Sequence, residues 1–250
     1  MEKEVHIKVG DKNIYGKLYT PSGKGKKPLV ILSHGIGGSY TNVKDYAINF
    51  AKNGIASFAF DFVGGGYGSR SGGSMTEMSV LTEADDLNLV LDHFRKESTI
   101  DRKKIFLFGE SQGGFVSTYV AGNRSEDVAG LVLLYPAFVL QDDSRERDPD
   151  PQSGPDESSV MGMRIGKIYD VDAQSFDIYD VMKKYTGKTL IIHGTDDSIV
   201  PLEYSERAAK TIPDAQLKTI GGADHGFYGS AEKKASKWSL DFIKSLNNIS

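Results

Sequence analysis

The sequence has no cysteine in its 250 residues, and it has no long apolar run. The first absence excludes disulfide bridges, thiolate metal sites and a cysteine nucleophile. The second excludes the pattern of a membrane-spanning helix, which needs roughly 18 consecutive apolar residues. Residues 1–6 also lack the apolar core of a secretory signal. We therefore expect a cytoplasmic protein without a membrane partner.

Positive charge is not concentrated anywhere along the chain. The 30 lysines and arginines are dispersed among 34 acidic residues, and the formal net charge is −4. A nucleic-acid-binding domain usually carries a basic patch or stripe, so we expect no nucleic-acid partner. The proportions of hydrophobic residues, 39%, and charged residues, 26%, are ordinary for a globular protein that can bury a sizeable core.

Short apolar runs alternate with amphipathic segments over most of the chain. Continuous apolar runs predict strands buried on both faces, and apolar residues spaced by three and four predict helices. The predicted strands cover 5–9, 14–20, 29–32, 55–62, 105–108, 131–134, 190–192 and 216–220, and the predicted helices cover 42–53, 79–97, 112–123, 202–211 and 231–246. This alternation indicates an α/β fold with a mostly parallel central sheet and helices on both faces.

One connection, between the sixth and seventh predicted strands, is much longer than the others. It covers 137–187, whereas such connections usually have about two to six residues, and it separates a core of 1–136 from a core of 188–250. A solvated, mobile loop is one interpretation, because residues 142–157 contain seven acids against two arginines. We favour a cap over a functional site, because long ordered insertions often serve as lids.

The pentapeptide Gly109-Glu110-Ser111-Gln112-Gly113 fits the pattern G-x-S-x-G. It follows a predicted strand and precedes a predicted helix, which is the context in which this pattern presents a nucleophilic serine on a strained turn. The N–H of Gln112, at the start of the helix, can face developing negative charge. We predict that Ser111 is a nucleophile; a glycine-rich turn that fits the pattern by chance is the alternative.

A second glycine-rich turn, Ser33-His34-Gly35-Ile36-Gly37-Gly38, directly follows the buried strand 29–32. Such a turn exposes backbone N–H groups that can hold the oxyanion of a tetrahedral intermediate. We predict that the backbone N–H groups of Ile36 and Gln112 form this oxyanion hole. The alternative is that the glycines are there only because the turn has no room for larger side chains. His34 is expected to brace the loop through hydrogen bonds rather than to act as a base.

The last two predicted strands are each followed by residues that can serve a nucleophilic serine. Asp196 and Asp197 come just past the strand 190–192, and His225 comes just past the strand 216–220. A histidine, with an ordinary pKa near 6.5, can accept the serine proton and return it to a leaving group. A carboxylate fixes its tautomer and stabilises the imidazolium. The chain order Ser, Asp, His is that of an α/β-hydrolase triad, but composition does not decide between the two aspartates.

With these motifs the chain resembles the α/β-hydrolase superfamily over nearly its whole length. Within that superfamily it is similar to the small bacterial cinnamoyl (feruloyl) esterases, and monoglyceride lipases and acyl-peptide hydrolases share much of the pattern. The matching segments are Ser33-His34-Gly35, Asp61-Phe62 with the following glycines, Gly109 to Gly113, Tyr135-Pro136-Ala137, His193 to Asp197, and Gly222 to His225. The family pattern His-Gly-x-x-Asp-x-x-Val-Pro favours Asp197 as the triad carboxylate.

The resemblance also implies a role for the insertion. In the similar esterases it forms a cap over the acyl pocket, and an aspartate and a tyrosine of the cap contact the hydroxyl on the aromatic ring of the substrate. Matching outward from Tyr135-Pro136-Ala137 assigns that aspartate to Asp143. Matching back from Ile178-Tyr179-Asp180-Val181 assigns the tyrosine to Tyr169.

The leading hypothesis for function is hydrolysis of a small-molecule carboxylic ester with an aromatic (cinnamoyl-type) or short acyl group. Such a reaction requires no cofactor and no metal. Hydrolysis of a peptide or a thioester bond is a second hypothesis, because the triad does not distinguish these acyl transfers. A non-catalytic binding module on the same fold is a third. The sequence does not distinguish a monomer from a homodimer.

Overall fold

An eight-stranded sheet runs through the molecule, as seen in a computed structural model that describes residues 1–247. The strands are β1 (Glu2–Val9), β2 (Lys12–Tyr19), β3 (Lys27–Ser33), β4 (Ala56–Phe60), β5 (Ile100–Glu110), β6 (Gly130–Leu134), β7 (Glu157–Val160), β8 (Met163–Gly166), β9 (Lys188–Gly194) and β10 (Ala215–Ile220). The order in the large sheet is β1-β2-β4-β3-β5-β6-β9-β10, and β7 and β8 form a separate hairpin. Among the strands of residues 1–247, the β1–β2 and β2–β4 pairs of this sheet are antiparallel and its other five pairs are parallel, which confirms the predicted, mostly parallel sheet.

Helices cover both faces of this sheet. They are α1 (Tyr40–Lys52), α2 (Val80–Lys96), α3 (Ser111–Asn123), α4 (Leu140–Arg147), α5 (Ile168–Ala173), α6 (Ile178–Met182), α7 (Leu202–Thr211) and α8 (Ser230–Asn247). Leu29 and Ile31 of β3 pack with α2 and α3, whereas Val30 and Leu32 pack with α1 and α8. All four side chains are fully buried. Because side chains alternate along a strand, the continuous apolar run marks a strand covered on both faces.

The connection between β6 and β9 has secondary structure of its own. It contains α4, the β7–β8 hairpin, α5 and α6, and it is therefore not a structureless loop. The sequence did not predict the hairpin, and the predicted seventh and eighth strands are therefore β9 and β10. An ion pair between Arg147 and the buried carboxylate of Asp170 joins α4 to α5. The hydroxyl of Ser144 donates a second hydrogen bond to Asp170, at 2.7 Å.

All eight strands of the large sheet differ from the predicted ones at one end or at both ends, and two of these differences follow from particular contacts. β5 begins at Ile100 rather than at 105, because Ile100 pairs with Lys27 before a register shift in β3. β4 ends at Phe60 rather than at 62, and the N–H of Phe62 instead donates to Nε2 of His34, at 3.2 Å. Across residues 1–247, none of the helices has the length and apolarity needed to cross a bilayer.

Candidate active site

Ser111 lies on a sharp turn between β5 and α3 and has a φ of +50°. This left-handed conformation is costly for a residue with a Cβ and persists only where the surrounding structure enforces it. The flanking glycines allow the turn to pack closely. A Cβ on Gly109 would lie 2.3 Å from the carbonyl oxygen of Gly113, and a Cβ on Gly113 would lie 2.4 Å from that of His34. The result is a serine presented at the carboxyl end of the sheet.

Three side chains from distant parts of the sequence meet at this turn. The hydroxyl of Ser111 lies 3.0 Å from Nε2 of His225, in geometry for a hydrogen bond from Oγ to the ring. Nδ1 of His225 donates to the carboxylate of Asp197, at 2.9 Å from Oδ2 and 3.1 Å from Oδ1. The structure thus brings together the three residues that the sequence predicts as nucleophile, base and acid, in the arrangement of a hydroxyl–imidazole–carboxylate relay.

Asp197, and not Asp196, is the carboxylate that contacts the imidazole. The Asp197 side chain is fully buried, and its Oδ1 accepts the N–H groups of Ile199 and Val200, at 3.0 and 2.8 Å. Burial raises the pKa of Asp197, but hydrogen bonds from His193, His225 and Val200 outweigh burial and hold the pKa well below its ordinary value. Asp196 is exposed and accepts a hydrogen bond from Thr195. Asp197 therefore stays ionised at neutral pH.

His193 and His34 both have structural roles, and for His34 this is the role that the sequence predicts. Nε2 of His193 lies 2.9 Å from the carbonyl oxygen of Val200 and 3.1 Å from Oδ2 of Asp197, so one N–H serves both acceptors. His34 is fully buried, and its Nδ1 lies 2.7 Å from the carbonyl oxygen of Gly35. Burial lowers the pKa of His34. A neutral ring that donates to its own loop and accepts the N–H of Phe62 braces the turn after β3.

The predicted oxyanion donors lie on the two turns that meet at Ser111. Gly35 abuts the nucleophile, since a Cβ on it would lie 3.0 Å from Cβ of Ser111. Within residues 1–247, the N–H groups of Ile36 and Gln112 have no hydrogen-bond acceptor. The neighbouring N–H of Gly37 is occupied, because it donates to the carbonyl oxygen of Gly65 at 2.8 Å. The two free donors beside the serine fit an oxyanion hole.

Two cavities of different size meet at Ser111. The smaller, about 80 Å³, is lined by Ile36, Gln112 and mostly apolar residues of the insertion and its flanks. The larger, about 480 Å³, is more polar and is lined by His225 and by residues 226–228. Met161, at the tip of the β7–β8 hairpin, borders both cavities. Ser111 therefore lies between a narrow, mostly apolar cavity and a wide, more polar cavity that the imidazole of His225 also lines.

The two insertion residues assigned from the family resemblance both line the smaller cavity. Tyr169 is 2% exposed, and its hydroxyl donates to Oε1 of Gln112 at 2.7 Å. Asp143 is exposed at the rim of the cavity, where Arg147 also lies. Both residues are thus close to the nucleophile, but the hydroxyl of Tyr169 already has a partner in the protein.

Glu83 of α2 is a site residue that the sequence analysis did not identify. Its side chain is 1% exposed, and Nε2 of Gln112 donates to its Oε2 at 2.9 Å. Burial raises the pKa of Glu83 to about 8, so the carboxyl is mostly neutral at pH 7. The signal was present in the sequence, because Glu83 lies three residues after Val80 and four before Leu87, on the apolar stripe of the helix.

Tyr135 and Glu110 form a second buried pair that the sequence analysis missed. The hydroxyl of Tyr135 donates to Oε2 of Glu110 at 3.0 Å, and burial raises the pKa of that carboxyl. The Tyr135 ring packs edge-on against the ring of His225, with centroids 4.7 Å apart. Tyr135 has a φ of +36°, a conformation that is costly for a residue with a Cβ. No pattern in the sequence marks this pair.

A comparison with protein families matches the N-terminal part of the chain. The family model described as "Serine aminopeptidase, S33" (Hydrolase_4) matches residues 24–154, which is more than half of the chain. The matched part contains the turn 33–38 and the nucleophile turn 109–113.

Relatives that are named for different activities align over most of the chain. Monoacylglycerol lipase ABHD6 of Rattus norvegicus is 21% identical over 268 residues, which cover 90% of this chain and 77% of that protein. Proline iminopeptidase PfmaB of Pestalotiopsis fici is 24% identical over 260 residues, which cover 84% and 89%. Among solved structures, Est1E from Butyrivibrio proteoclasticus with bound ferulic acid superposes with a TM-score of 0.86 and 25% identity, over 96% of this chain and 99% of that one.

These relatives include a lipase, a peptidase and a protein solved with ferulic acid, so sequence and structural similarity alone do not identify the substrate. Est1E shares the fold, and the family match covers the strand–turn–helix that carries Ser111. The chain belongs to the serine aminopeptidase S33 family of α/β hydrolases.

Proposed function

We propose that this protein is a serine esterase that hydrolyses carboxylic esters through an acyl-enzyme on Ser111. The observation that carries the proposal is the 3.0 Å contact between the Ser111 hydroxyl and a histidine ring whose other nitrogen is bound to a buried carboxylate. In this proposal Ser111, His225 and Asp197 are the catalytic residues. The N–H groups of Ile36 and Gln112 hold the oxyanion.

The reaction uses the imidazole twice. Ser111 attacks the ester carbonyl while its proton passes to Nε2 of His225, and Asp197 stabilises the imidazolium that forms. The alcohol then departs with the proton from Nε2. A water molecule next attacks the acyl-enzyme by the same steps and releases the acid. The oxyanion of both tetrahedral intermediates rests on two backbone donors, each worth roughly 3 kcal/mol in such sites.

The position of the imidazole indicates which part of the substrate occupies each of the two cavities. Because the leaving alcohol takes its proton from His225, it occupies the larger cavity, which His225 lines. The acyl group then occupies the smaller cavity, beside both oxyanion donors. In this assignment residues 137–187 act as a cap, since Leu140, Val160 and Met161 form part of the acyl wall.

The volume of the smaller cavity favours short acyl groups. An engineered apolar cavity of about 150 Å³ binds benzene, which has six carbon atoms, so about 80 Å³ holds only about three carbon atoms beyond the ester carbonyl. We therefore propose acetyl to butanoyl esters, with a larger and more polar alcohol, as the preferred substrates.

A hydroxycinnamoyl ester is the second candidate. Asp143 and Tyr169 line the acyl cavity, and the similar Est1E has been solved with ferulic acid. The cap must open to admit this larger acyl group. The hydroxyl of Tyr169 must also give up its hydrogen bond to Gln112 before it can contact the phenolic hydroxyl of the substrate.

A panel of substrates tests the proposal. It compares 4-nitrophenyl acetate, butanoate and octanoate with methyl ferulate, an acyl-thioester and an aminoacyl nitroanilide, with Ser111→Ala as the control. We expect the short esters to have the highest kcat/KM, and the control to lose at least about 10³-fold in kcat. Faster turnover of the anilide than of every ester would contradict the esterase assignment. Failure of Ser111 to react with a fluorophosphonate probe would contradict any serine-hydrolase function.

A further inference from the structure

The side-chain amide of Gln112 is held at both ends by buried groups from other helices. Nε2 donates to Oε2 of Glu83 on α2, at 2.9 Å, and Oε1 accepts the hydroxyl of Tyr169 on α5, at 2.7 Å. Gln112 and Glu83 are 1% exposed and Tyr169 is 2% exposed. A continuous hydrogen-bonded bridge therefore joins α2, the nucleophile turn and the insertion, out of contact with water.

The same carboxyl also lies against the support of the second oxyanion turn. A Cβ on Gly65 would lie 3.2 Å from Oε1 of Glu83 and 3.1 Å from Cε1 of His34. The carbonyl oxygen of Gly65 accepts the N–H of Gly37, next to Ile36, at 2.8 Å. Both turns that carry the oxyanion donors thus rest on groups in contact with Glu83.

The surroundings of the carboxyl select its neutral form. Side chains that face it carry no positive charge: Gln112, Met78, Tyr169, neutral His34, and Asp86, which is itself paired with Lys12. Within residues 1–247, Oε1 has no hydrogen-bond partner, so an ionised group would be poorly solvated there. A neutral acid accepts from Gln112 through Oε2 and carries its proton on Oε1, a pattern that a glutamine side chain reproduces.

We propose that Glu83 is a positioning residue that holds the Gln112 bridge in place and thereby fixes the N–H of Gln112 toward the oxyanion. The inference rests on the proposed function, because it concerns the oxyanion hole of that site. Glu83 does not touch the substrate; it acts through Gln112. Losing the bridge should therefore lower kcat more than it changes KM, since the oxyanion forms only after the substrate has bound.

The test compares four variants with the wild type. Glu83→Gln keeps the bridge, Glu83→Met removes it at similar volume, Tyr169→Phe removes its outer end, and Glu77→Met makes the same change at a nearby exposed glutamate. The measurements are kcat and KM for 4-nitrophenyl acetate from pH 6 to pH 9.5, and the rate at which a fluorophosphonate labels Ser111. Circular dichroism verifies that each variant is folded.

We expect Glu83→Met to lower kcat by about 10- to 100-fold, less than the loss of a whole oxyanion donor, with KM within about 3-fold. Glu83→Gln should retain kcat within about 3-fold at pH 7, because its amide oxygen can accept the same hydrogen bond from Gln112. Tyr169→Phe should lower kcat by about 3- to 10-fold, and Glu77→Met should have no effect.

A folded Glu83→Met protein with wild-type kcat, or a Glu83→Gln protein as impaired as Glu83→Met, would overturn the inference. If Glu83→Met does not fold, Tyr169→Phe decides: a folded Tyr169→Phe protein with wild-type kcat overturns the inference. The labelling rate separates this inference from the proposed function. If the wild-type protein reacts with the fluorophosphonate but hydrolyses no ester, the esterase assignment is disproved and the inference about Glu83 is not. The labelling rates of the variants then test the bridge.

Discussion

Asp196 and Asp197 are adjacent in the sequence, yet only one of them contacts the imidazole. Asp197 is buried and bonded to both His193 and His225, whereas Asp196 is exposed. We predict that Asp197→Asn lowers kcat by about 10⁴-fold, because an amide holds the ring in the wrong tautomer. Asp196→Asn is the matched control and should retain kcat within about 2-fold. The measurement is ester hydrolysis at pH 7.5, and equal losses in the two variants would refute the assignment of Asp197.

The buried carboxyl of Glu83 also predicts how stability depends on pH. Its folded pKa, about 8, exceeds the ordinary value of 4.5, so between these values the folded protein binds more protons than the unfolded chain. Stability therefore falls as the pH rises through this interval. We compare the free energy of unfolding of Glu83→Gln with that of the wild type at two pH values. The difference should favour the variant more at pH 9 than at pH 5, by on the order of a few kcal/mol. Urea unfolding of both proteins at pH 5 and at pH 9 measures this difference. The same difference at the two pH values would rule out the predicted effect of Glu83 on stability.

At the scale of secondary-structure elements, the insertion depends on the contact between α4 and α5. Asp170 is buried and paired with Arg147, so Asp170→Asn leaves the arginine without its counter-charge. We expect a loss of about 3 kcal/mol in stability and faster proteolysis within residues 137–187. The Arg145–Asp142 pair on the same helix is exposed, and Arg145→Met should cost under about 1 kcal/mol. Comparable losses in the two variants would argue against a specific role for the buried pair.

The elements that the sequence predicted best are those with a strong period. The buried strands and the long amphipathic helices follow from apolar runs and from spacings of three and four, and only their ends moved. The β7–β8 hairpin was missed because Glu157–Val160 and Met163–Gly166 are short and have little apolar character. Its turn places Met161 and Gly162 at positive φ, and methionine gives no signal for such a conformation.

The candidate site was predictable to the extent that its residues lie at the ends of strands. Ser111, Asp197 and His225 each follow a strand of the same parallel sheet, and the carboxyl ends of such strands meet at one edge. Glu83 and Tyr135 were not predictable in the same way, because their roles depend on contacts between elements that lie far apart in the sequence. Packing, rather than a local pattern, brings Glu83 to Gln112 and Tyr135 to His225.

At the scale of the whole molecule, the size of the acyl cavity depends on how the hairpin tip meets the core. Met161 is 64% exposed, has a φ of +49° and borders both cavities. Met161→Gly relieves the strained backbone and removes a side chain between the cavities. We predict that kcat/KM for an octanoyl ester rises by about 10-fold relative to that for the acetyl ester, with no loss of stability. An unchanged ratio in a folded variant would show that another wall limits the acyl chain.

The distances along the chain between the reacting groups have a consequence for synthesis on the ribosome. The nucleophile lies 114 positions before its base, and the acid lies 28 positions before that base. A nascent polypeptide that has emerged as far as α3 therefore exposes a serine that nothing can deprotonate. In the proposed mechanism such an intermediate cannot form an acyl-enzyme, and it gains its base only after β10 and the histidine that follows it have been synthesised.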